Sequence, residues 1–227
     1  MSASAPRTPI AVIDFETTGI SPERGDRATE VAIVLVQDGR VVDRFQSLMN
    51  AGVRIPAFIT GLTGITNAML AAAPDAATVM GEASRFVGDA PMVAHNASFD
   101  RRFWVGELAR LGLPAPQPFA CTMLLSRRLY PEAPNHKLGT LVDYHHLPRA
   151  GRAHRALADA EMAAALLAQI EHDLRTRHGV ARPHHALLMA LQRSTRPAMR
   201  GVVAQYMRAR KAWRSMACAE SCQTETL

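Results

Sequence analysis

The first apolar run of the chain, Ile10 to Glu16, carries carboxylates at two alternate positions, Asp14 and Glu16. Ala11, Val12, Ile13 and Phe15 make this run a strand, and residues two apart in a strand share a face. The two acids therefore stand on one side of an apolar strand, roughly 7 Å apart at Cβ. There they lose hydration and repel each other, so the fold must bring something that compensates. A divalent cation does so most directly; pairing with arginines at a sheet edge would also serve. Thr17, Thr18 and Gly19 follow as a tight exit that lets backbone N–H groups come close to a substrate.

The remaining pattern places this strand in an α/β fold. Val31 to Val36 reads as a second strand, Gln37-Asp38-Gly39 as a turn and Arg40 to Met49 as a third strand. An Asp-Gly turn between two such runs predicts a hairpin. Helix and strand then alternate. Short helices span Pro56 to Ala73, a helix spans Asp75 to Val87, and a strand spans Pro91 to His95. A helix follows over Phe99 to Leu111, a strand over Phe119 to Thr122, and helices over Met123 to Leu129 and Leu138 to Tyr144. A long alanine-rich helix covers Arg155 to Arg175. Hairpin strands followed by βα units predict a mixed five-stranded sheet with helices on both faces. The catalytic domain is expected at residues 7–178. Residues 179–227 form a basic C-terminal appendage, helical or flexible, because Pro183 and Pro197 break the pattern and only Val202 to Trp213 is amphipathic.

Charge separates these two parts. The net charge is +6, and the stretch from Gln192 to Ser215 holds seven basic residues and no acid, which leaves the rest near neutral. A basic tail suits a polyanionic partner, and equally a solvated helix. No apolar run approaches the ~18 residues that a membrane span needs. The N-terminal segment lacks the apolar core of a secretory signal. Three cysteines, Cys121, Cys218 and Cys222, form no paired zinc pattern and fit a reducing, cytoplasmic setting.

Two further segments carry candidate chemistry. In His95-Asn96-Ala97-Ser98-Phe99-Asp100 a strand ends and a helix begins, which puts Asp100 in the first helical turn where N–H groups favour an anion. Such an acid also serves simply to stabilise its own helix. In His154-Arg155-Ala156-Leu157-Ala158-Asp159, five helical residues would separate His154 and Asp159 by about 140°. The spacing therefore suits a histidine on the loop before the helix and an aspartate in its first turns.

Asp14-x-Glu16-Thr17-Thr18-Gly19, His95-Asn96-x-x-Phe99-Asp100 and His154-x4-Asp159, in this order, resemble the DEDD exonuclease superfamily. The histidine at 154 is similar to the H subclass, DEDDh, which includes the epsilon proofreading subunit of bacterial DNA polymerase III, ribonuclease T and oligoribonuclease. Glu30, Leu62-Thr63-Gly64-Ile65-Thr66 and His136-Lys137-Leu138 agree with secondary family features. Thr63 departs from the histidine of many polymerase-associated members, and Cys121-Thr122 from a common aspartate. The resemblance implies a ribonuclease H-like fold and two Mg²⁺ or Mn²⁺ ions held by Asp14, Glu16, Asp100 and Asp159, with Asp14 bridging them. Hard oxygen donors suit these ions. His154 would be the general base, histidine being the side chain that titrates near neutral pH. The backbone at Thr17 would hold the terminal 3′-hydroxyl, Ile20 would wedge between the last two bases and Phe99 would line the pocket, with Thr18, Asn96 and Thr63 as further substrate contacts. The implied reaction is 3′→5′ hydrolysis of DNA single strands or frayed ends, releasing nucleoside 5′-monophosphates, in proofreading, repair or turnover. The readings beside it are trimming of RNA 3′ ends, and a module that docks on a polymerase subunit through its C-terminal tail.

Overall fold

The computed structural model describes residues 8–151 and 154–223, with the side chains of the final helix described as far as residue 211. Trp213, Cys218 and Cys222 thus have side chains outside the described residues, as do the terminal residues 224–227.

Three antiparallel strands open the fold: β1 (Ile10–Thr17), β2 (Ala28–Gln37) and β3 (Arg40–Leu48). The β2–β3 turn rests on Asp38 and Gly39, with φ of 51° and 76°. Two positive φ values are what a two-residue hairpin demands, and Asp-Gly supplies them. Helices α1 (Ala57–Thr63), α2 (Asn67–Ala72) and α3 (Ala76–Val87) lead to β4 (Met92–Ala94). Then come α4 (Ala97–Arg110), β5 (Phe119–Cys121), α5 (Thr122–Leu129) and α6 (Leu138–Tyr144). The chain finishes with α7 (Ala156–Thr176), α8 (His185–Arg193) and α9 (Met199–Gln223). The sheet has five strands in the order β3-β2-β1-β4-β5, with β4 parallel to both β1 and β5. This is the expected ribonuclease H-like mixed sheet.

Alternation along β1 divides two cores. Val12 joins Val34, Val93 and Ala120 on the face covered by Leu166, Leu167 and Ile170 of α7. Ala11 and Ile13 join Ile33 and Met92 on the face covered by Met80 and Ala83 of α3 and by Phe103 and Trp104 of α4. Fully burying each large side chain contributes about 2 kcal/mol, so both helical layers are fastened to the central strands. β2 begins at Ala28, three residues before the apolar run suggests, because polar Glu30 still pairs with Glu16 and Leu48, and Thr29, skipped at a register shift, accepts from Met49 N–H through its carbonyl at 2.9 Å.

The segment after residue 178 departs from the expected appendage. Leu187, Leu188 and Leu191 of α8 are fully buried in the same core as Val12, and Val180, Met199 and Val203 belong to it too. The reason lies in β5, whose outer edge would otherwise present unpaired backbone groups. Gln192 covers it: its Oε1 accepts from Cys121 N–H at 2.6 Å and its Nε2 donates to the Phe119 carbonyl at 3.1 Å. His185 Nε2 donates to the Met92 carbonyl at 2.8 Å. A boundary at 178 cuts through this packing. Among the described residues, no helix is long and apolar enough to cross a membrane.

Candidate active site

The site forms where β1 outruns its parallel neighbour. β1 pairs with β4 only at Ala11 and Val12, so its edge beyond Val12 is open on that side. Crevices at the carboxyl ends of such strands are where open α/β sheets bind ligands. Phe15 N–H would be unpaired there, and Asp100 takes it, with Oδ1 accepting at 3.2 Å. Asp100 lies in the first turn of α4 and is 2% exposed. Its carboxylate is thereby anchored to the strand residue between Asp14 and Glu16. Asn96 makes the approach possible by turning the chain into α4 at φ 71°, a conformation asparagine tolerates.

The opposite side comes from α7. Asp159 sits in its first turn and is half-buried. His154 is on the preceding loop, exposed, with φ 59°, an arrangement that costs about 1 kcal/mol for a non-glycine residue. The compensation is local: His154 N–H donates to Asp159 Oδ2 at 3.0 Å. Ligand atoms of Glu16, His154 and Asp159 lie within 4.8 Å of one another. The structure thus gathers all five expected positions from three distant segments.

Electrostatics favour a cation here. Burial pushes Asp14 well above the ordinary carboxylate range, and Asp100, Asp159 and Glu16 push it further. Glu16 rises to about 8, first through burial and then through Asp159 and Glu30, with Arg155 opposing. Asp100 rises to about 8 by burial, against the pull of Phe15 N–H. Burial raises Asp159 as well, and His154 offsets part of it. Four carboxylates destabilised as anions, all offering hard oxygens, fit a divalent metal.

Glu30 stands directly across from Glu16 in the β1–β2 ladder, where like charges destabilise. Burial pushes Glu30 up, but Arg155, Gln46 and Ala156 N–H together hold it below its ordinary value. Arg155 donates through Nε at 3.1 Å and Nη2 at 2.9 Å, and Ala156 N–H donates at 3.2 Å. This fastens the start of α7 and positions His154 and Asp159. Arg155 was not singled out in the sequence; the signal was an arginine inside the last motif with a buried acid, Glu30, unaccounted for. A matching pair holds α4: Glu107 accepts from Arg27 Nε at 2.9 Å, Arg27 Nη2 at 2.8 Å and Ala28 N–H at 3.1 Å.

The exit loop is equally fixed. Thr18 N–H donates to the Arg27 carbonyl at 2.9 Å, and Arg27 N–H donates to Thr18 Oγ1 at 3.0 Å. Thr17 Oγ1 donates to the Gly19 carbonyl. A Cβ on Gly19 would run into the Asp26 carboxylate, which accepts from Ser21 N–H at 2.9 Å, so a larger residue there would have to displace that side chain. Ile20 then projects outward, 75% exposed. Phe99 is partly buried, 5.0 Å from the Phe103 ring.

A groove of about 1010 Å³ opens from Asp14, Asp159 and His154 past Asn96. Its far wall carries Arg127, Lys137 and Arg149, from α5, the segment before α6 and the segment after it; Lys137 belongs to the His136-Lys137-Leu138 segment, while Arg127 and Arg149 stand in no motif. His95 braces that wall: its Nε2 donates to the His136 carbonyl at 3.0 Å and its Nδ1 meets Thr122 Oγ1 at 2.9 Å. Burial drives its pKa down to about 4, which keeps the ring neutral. Thr63 does not reach the groove. It is buried, and its hydroxyl donates to Ile59 O and accepts from Ile65 N–H, both at 3.0 Å, closing the end of α1.

The sequence model of the family described as Exonuclease matches residues 11–167, which include all five positions. A DNA polymerase III PolC-type from Halalkalibacterium halodurans is 40% identical over 157 residues, 69% of this chain and 11% of the polymerase. The 3′-5′ exonuclease DinG of Bacillus subtilis is 37% identical over 165 residues, 72% of this chain and 18% of DinG. The chain therefore spans only a small part of the length of these relatives. Exonuclease X, solved in complex with 5′ overhanging duplex DNA, aligns at TM-score 0.60 and 30% identity over 86% of this chain and 99% of its own. The nuclease domain of 3′hExo, a DEDDh family member, shares the fold at TM-score 0.63 and 20% identity over 75% of this chain and 95% of its own. The match over most of the chain and the order of its motifs agree: the chain belongs to the exonuclease family, with the DEDDh pattern.

Proposed function

We propose that this protein is a metal-dependent exonuclease that hydrolyses the terminal phosphodiester of DNA in the 3′→5′ direction. The observation that carries the reading is the convergence of Glu16, His154 and Asp159 within 4.8 Å beside Asp14 and Asp100. Asp14, Glu16, Asp100 and Asp159 would hold two Mg²⁺ or Mn²⁺ ions. Bound there, divalent cations supply Lewis acidity and neutralise charge on the phosphate. His154 takes a proton from the attacking water, whose oxygen bonds to phosphorus as the P–O3′ bond breaks. The leaving 3′ oxygen takes a proton from solvent, and a nucleoside 5′-monophosphate departs. The backbone at Thr17 and Thr18 orients the terminal 3′-hydroxyl, Ile20 wedges against the penultimate base, and Asn96 and Phe99 border the terminal nucleotide. The exposure of Ile20 and the fixed Thr17–Gly19 turn support these roles. DNA is favoured because the relatives named above include a DNA polymerase III PolC-type and an exonuclease solved with duplex DNA. The activity would belong to cytoplasmic replication or repair. The basic helix α9, with Arg200, Arg208 and the half-exposed Met207, is the surface we assign to a polymerase partner.

The test is degradation of 5′-labelled single-stranded DNA and matched RNA with Mg²⁺, Mn²⁺ or EDTA. A metal-dependent ladder shortening from the 3′ end, faster on DNA, is expected. His154→Ala should lose turnover by about 100-fold or more while still binding DNA and metal. Full activity in that variant sinks the assignment, and a faster RNA ladder reassigns the substrate.

A further inference from the structure

A second groove, of about 350 Å³, lies on the outer face of α4, away from the acid cluster. Pro22, Val105 and Gly106 form its floor, and Arg101, Arg102 and Arg110 stand around it. The close packing depends on Gly106, where a Cβ would come within 3.3 Å of Pro22 Cβ. All three arginines are exposed. Arg102 Nε donates to Ser98 O at 3.3 Å, and Arg110 Nε is 4.0 Å from Glu107, whose carboxylate is already taken by Arg27. Arg101 makes no ion pair among the described residues. The acid at the rim, Glu23, accepts from Ser21 Oγ at 2.8 Å. Positive charge is therefore in clear excess over a shallow apolar floor.

The placement of this groove is informative. Pro22 and Glu23 lie two and three residues after Ile20, and Arg101 follows directly on Asp100. The exposed Ile20 thus stands on the loop that connects the acid cluster to this groove. With Ile20 in its proposed wedge role, a duplex whose 3′ end entered the acid cluster would be parted there, and its complement would leave past this groove. We propose that the α4 groove binds the phosphodiester backbone of the complementary strand of a duplex whose 3′ end occupies the site. Guanidiniums in a shallow basic cleft suit phosphates through charge-assisted hydrogen bonds, without reading sequence. The inference rests on the exonuclease reading and adds duplex ends to its substrates.

The experiment uses the full chain with Ca²⁺ in place of Mg²⁺ and fluorescent DNA: a duplex with a 5′ overhang, and the labelled strand alone. Arg101→Ala/Arg102→Ala/Arg110→Ala should bind the duplex at least about tenfold more weakly and lower the salt slope by about 2 to 3, at about 0.9 per phosphate contact. Binding of the single strand, and Mn²⁺-dependent hydrolysis of the p-nitrophenyl ester of thymidine 5′-monophosphate, should stay unchanged. Arg101→Glu alone should move duplex affinity in the same direction while leaving the Arg110 contact intact. Unchanged duplex affinity in the triple variant overturns the proposal, as does an equal loss on both DNAs. An ester that the unaltered protein cannot hydrolyse counts against the exonuclease reading, while the duplex comparison still decides whether this face binds a strand.

Discussion

The two sides of the acid cluster are built alike and behave differently. Each belongs to a helix tied to the beginning of β2 by a Glu–Arg pair whose carboxylate also takes a backbone N–H: Glu107, near the end of α4, with Arg27, and Arg155, at the start of α7, with Glu30. On the α4 side Asp100 is buried and tied to the strand backbone at Phe15. On the α7 side Asp159 is half-buried, and its partner is the N–H of exposed His154 on its own loop. The α4 side has its geometry imposed by the sheet, while the α7 side closes on itself. Under the proposed mechanism this division makes sense, because a metal ligand gains from rigidity and a proton-accepting histidine has to meet water and substrate.

The largest effects should come from the two aspartates. Asp100→Asn and Asp159→Asn should each reduce turnover by about 100-fold or more, since each would remove a ligand that the proposed mechanism gives to the metal. Their effects on stability should diverge. Glu16 and Asp100 are raised to about 8 in the folded protein. Between the ordinary carboxylate range and about pH 8, the unfolded chain releases these protons while the folded protein keeps them. Metal-free protein should therefore lose stability as pH rises through that window, and added Mg²⁺ or Mn²⁺ should restore it increasingly. Asp100→Asn should flatten this dependence and raise the metal-free melting temperature, whereas Asp159→Asn should change both less. Thermal melts from pH 5 to 8, with and without metal, check this. Identical pH profiles for the two variants would abolish the distinction between the sides.

The paired clamps give the next test. Arg27 is 17% exposed and Arg155 34%. Glu107→Gln strands a more deeply buried guanidinium and should cost about 3 kcal/mol in urea denaturation. Glu30→Gln should cost less, because Arg155 can turn toward water, yet it should reduce kcat more once metal is saturating. A stability loss without a kcat loss at Glu30 would show that the start of α7 needs no external positioning.

How much of this was legible in the sequence follows from distance along the chain. Asp14 and Glu16 declared their shared face by local alternation, and His154 and Asp159 their division between loop and helix by local spacing. The clamps could not be read. Glu30 and Arg155 are separated by 125 residues and Arg27 and Glu107 by 80, and no local spacing links either pair. Thr63 looked like a substrate contact from its segment, but its hydroxyl is used inside its own turn. Nor did α8 announce itself. Its three buried leucines lie in a nine-residue helix after Pro183, and the edge they help to cover is more than 60 residues earlier.

That edge carries the smallest prediction, and it separates support for the fold from support for the site. Gln192 satisfies both Cys121 N–H and the Phe119 carbonyl, two outward groups of β5 that α8 shields from water. Gln192→Ala removes both partners at once, and leaving them unmet should cost about 1 to 3 kcal/mol. β5 lies beside β4 and away from Asp14, Asp100 and Asp159, so turnover on short single strands at moderate temperature should stay within about twofold of the unaltered protein if the site is held from β2, as the two clamps imply. Urea denaturation paired with kcat on a short oligonucleotide measures both quantities. A large loss of kcat at unchanged stability would mean that α8 and the β5 edge help to shape the groove wall at Arg127 and Lys137, and that the acid cluster depends on three supports, not two.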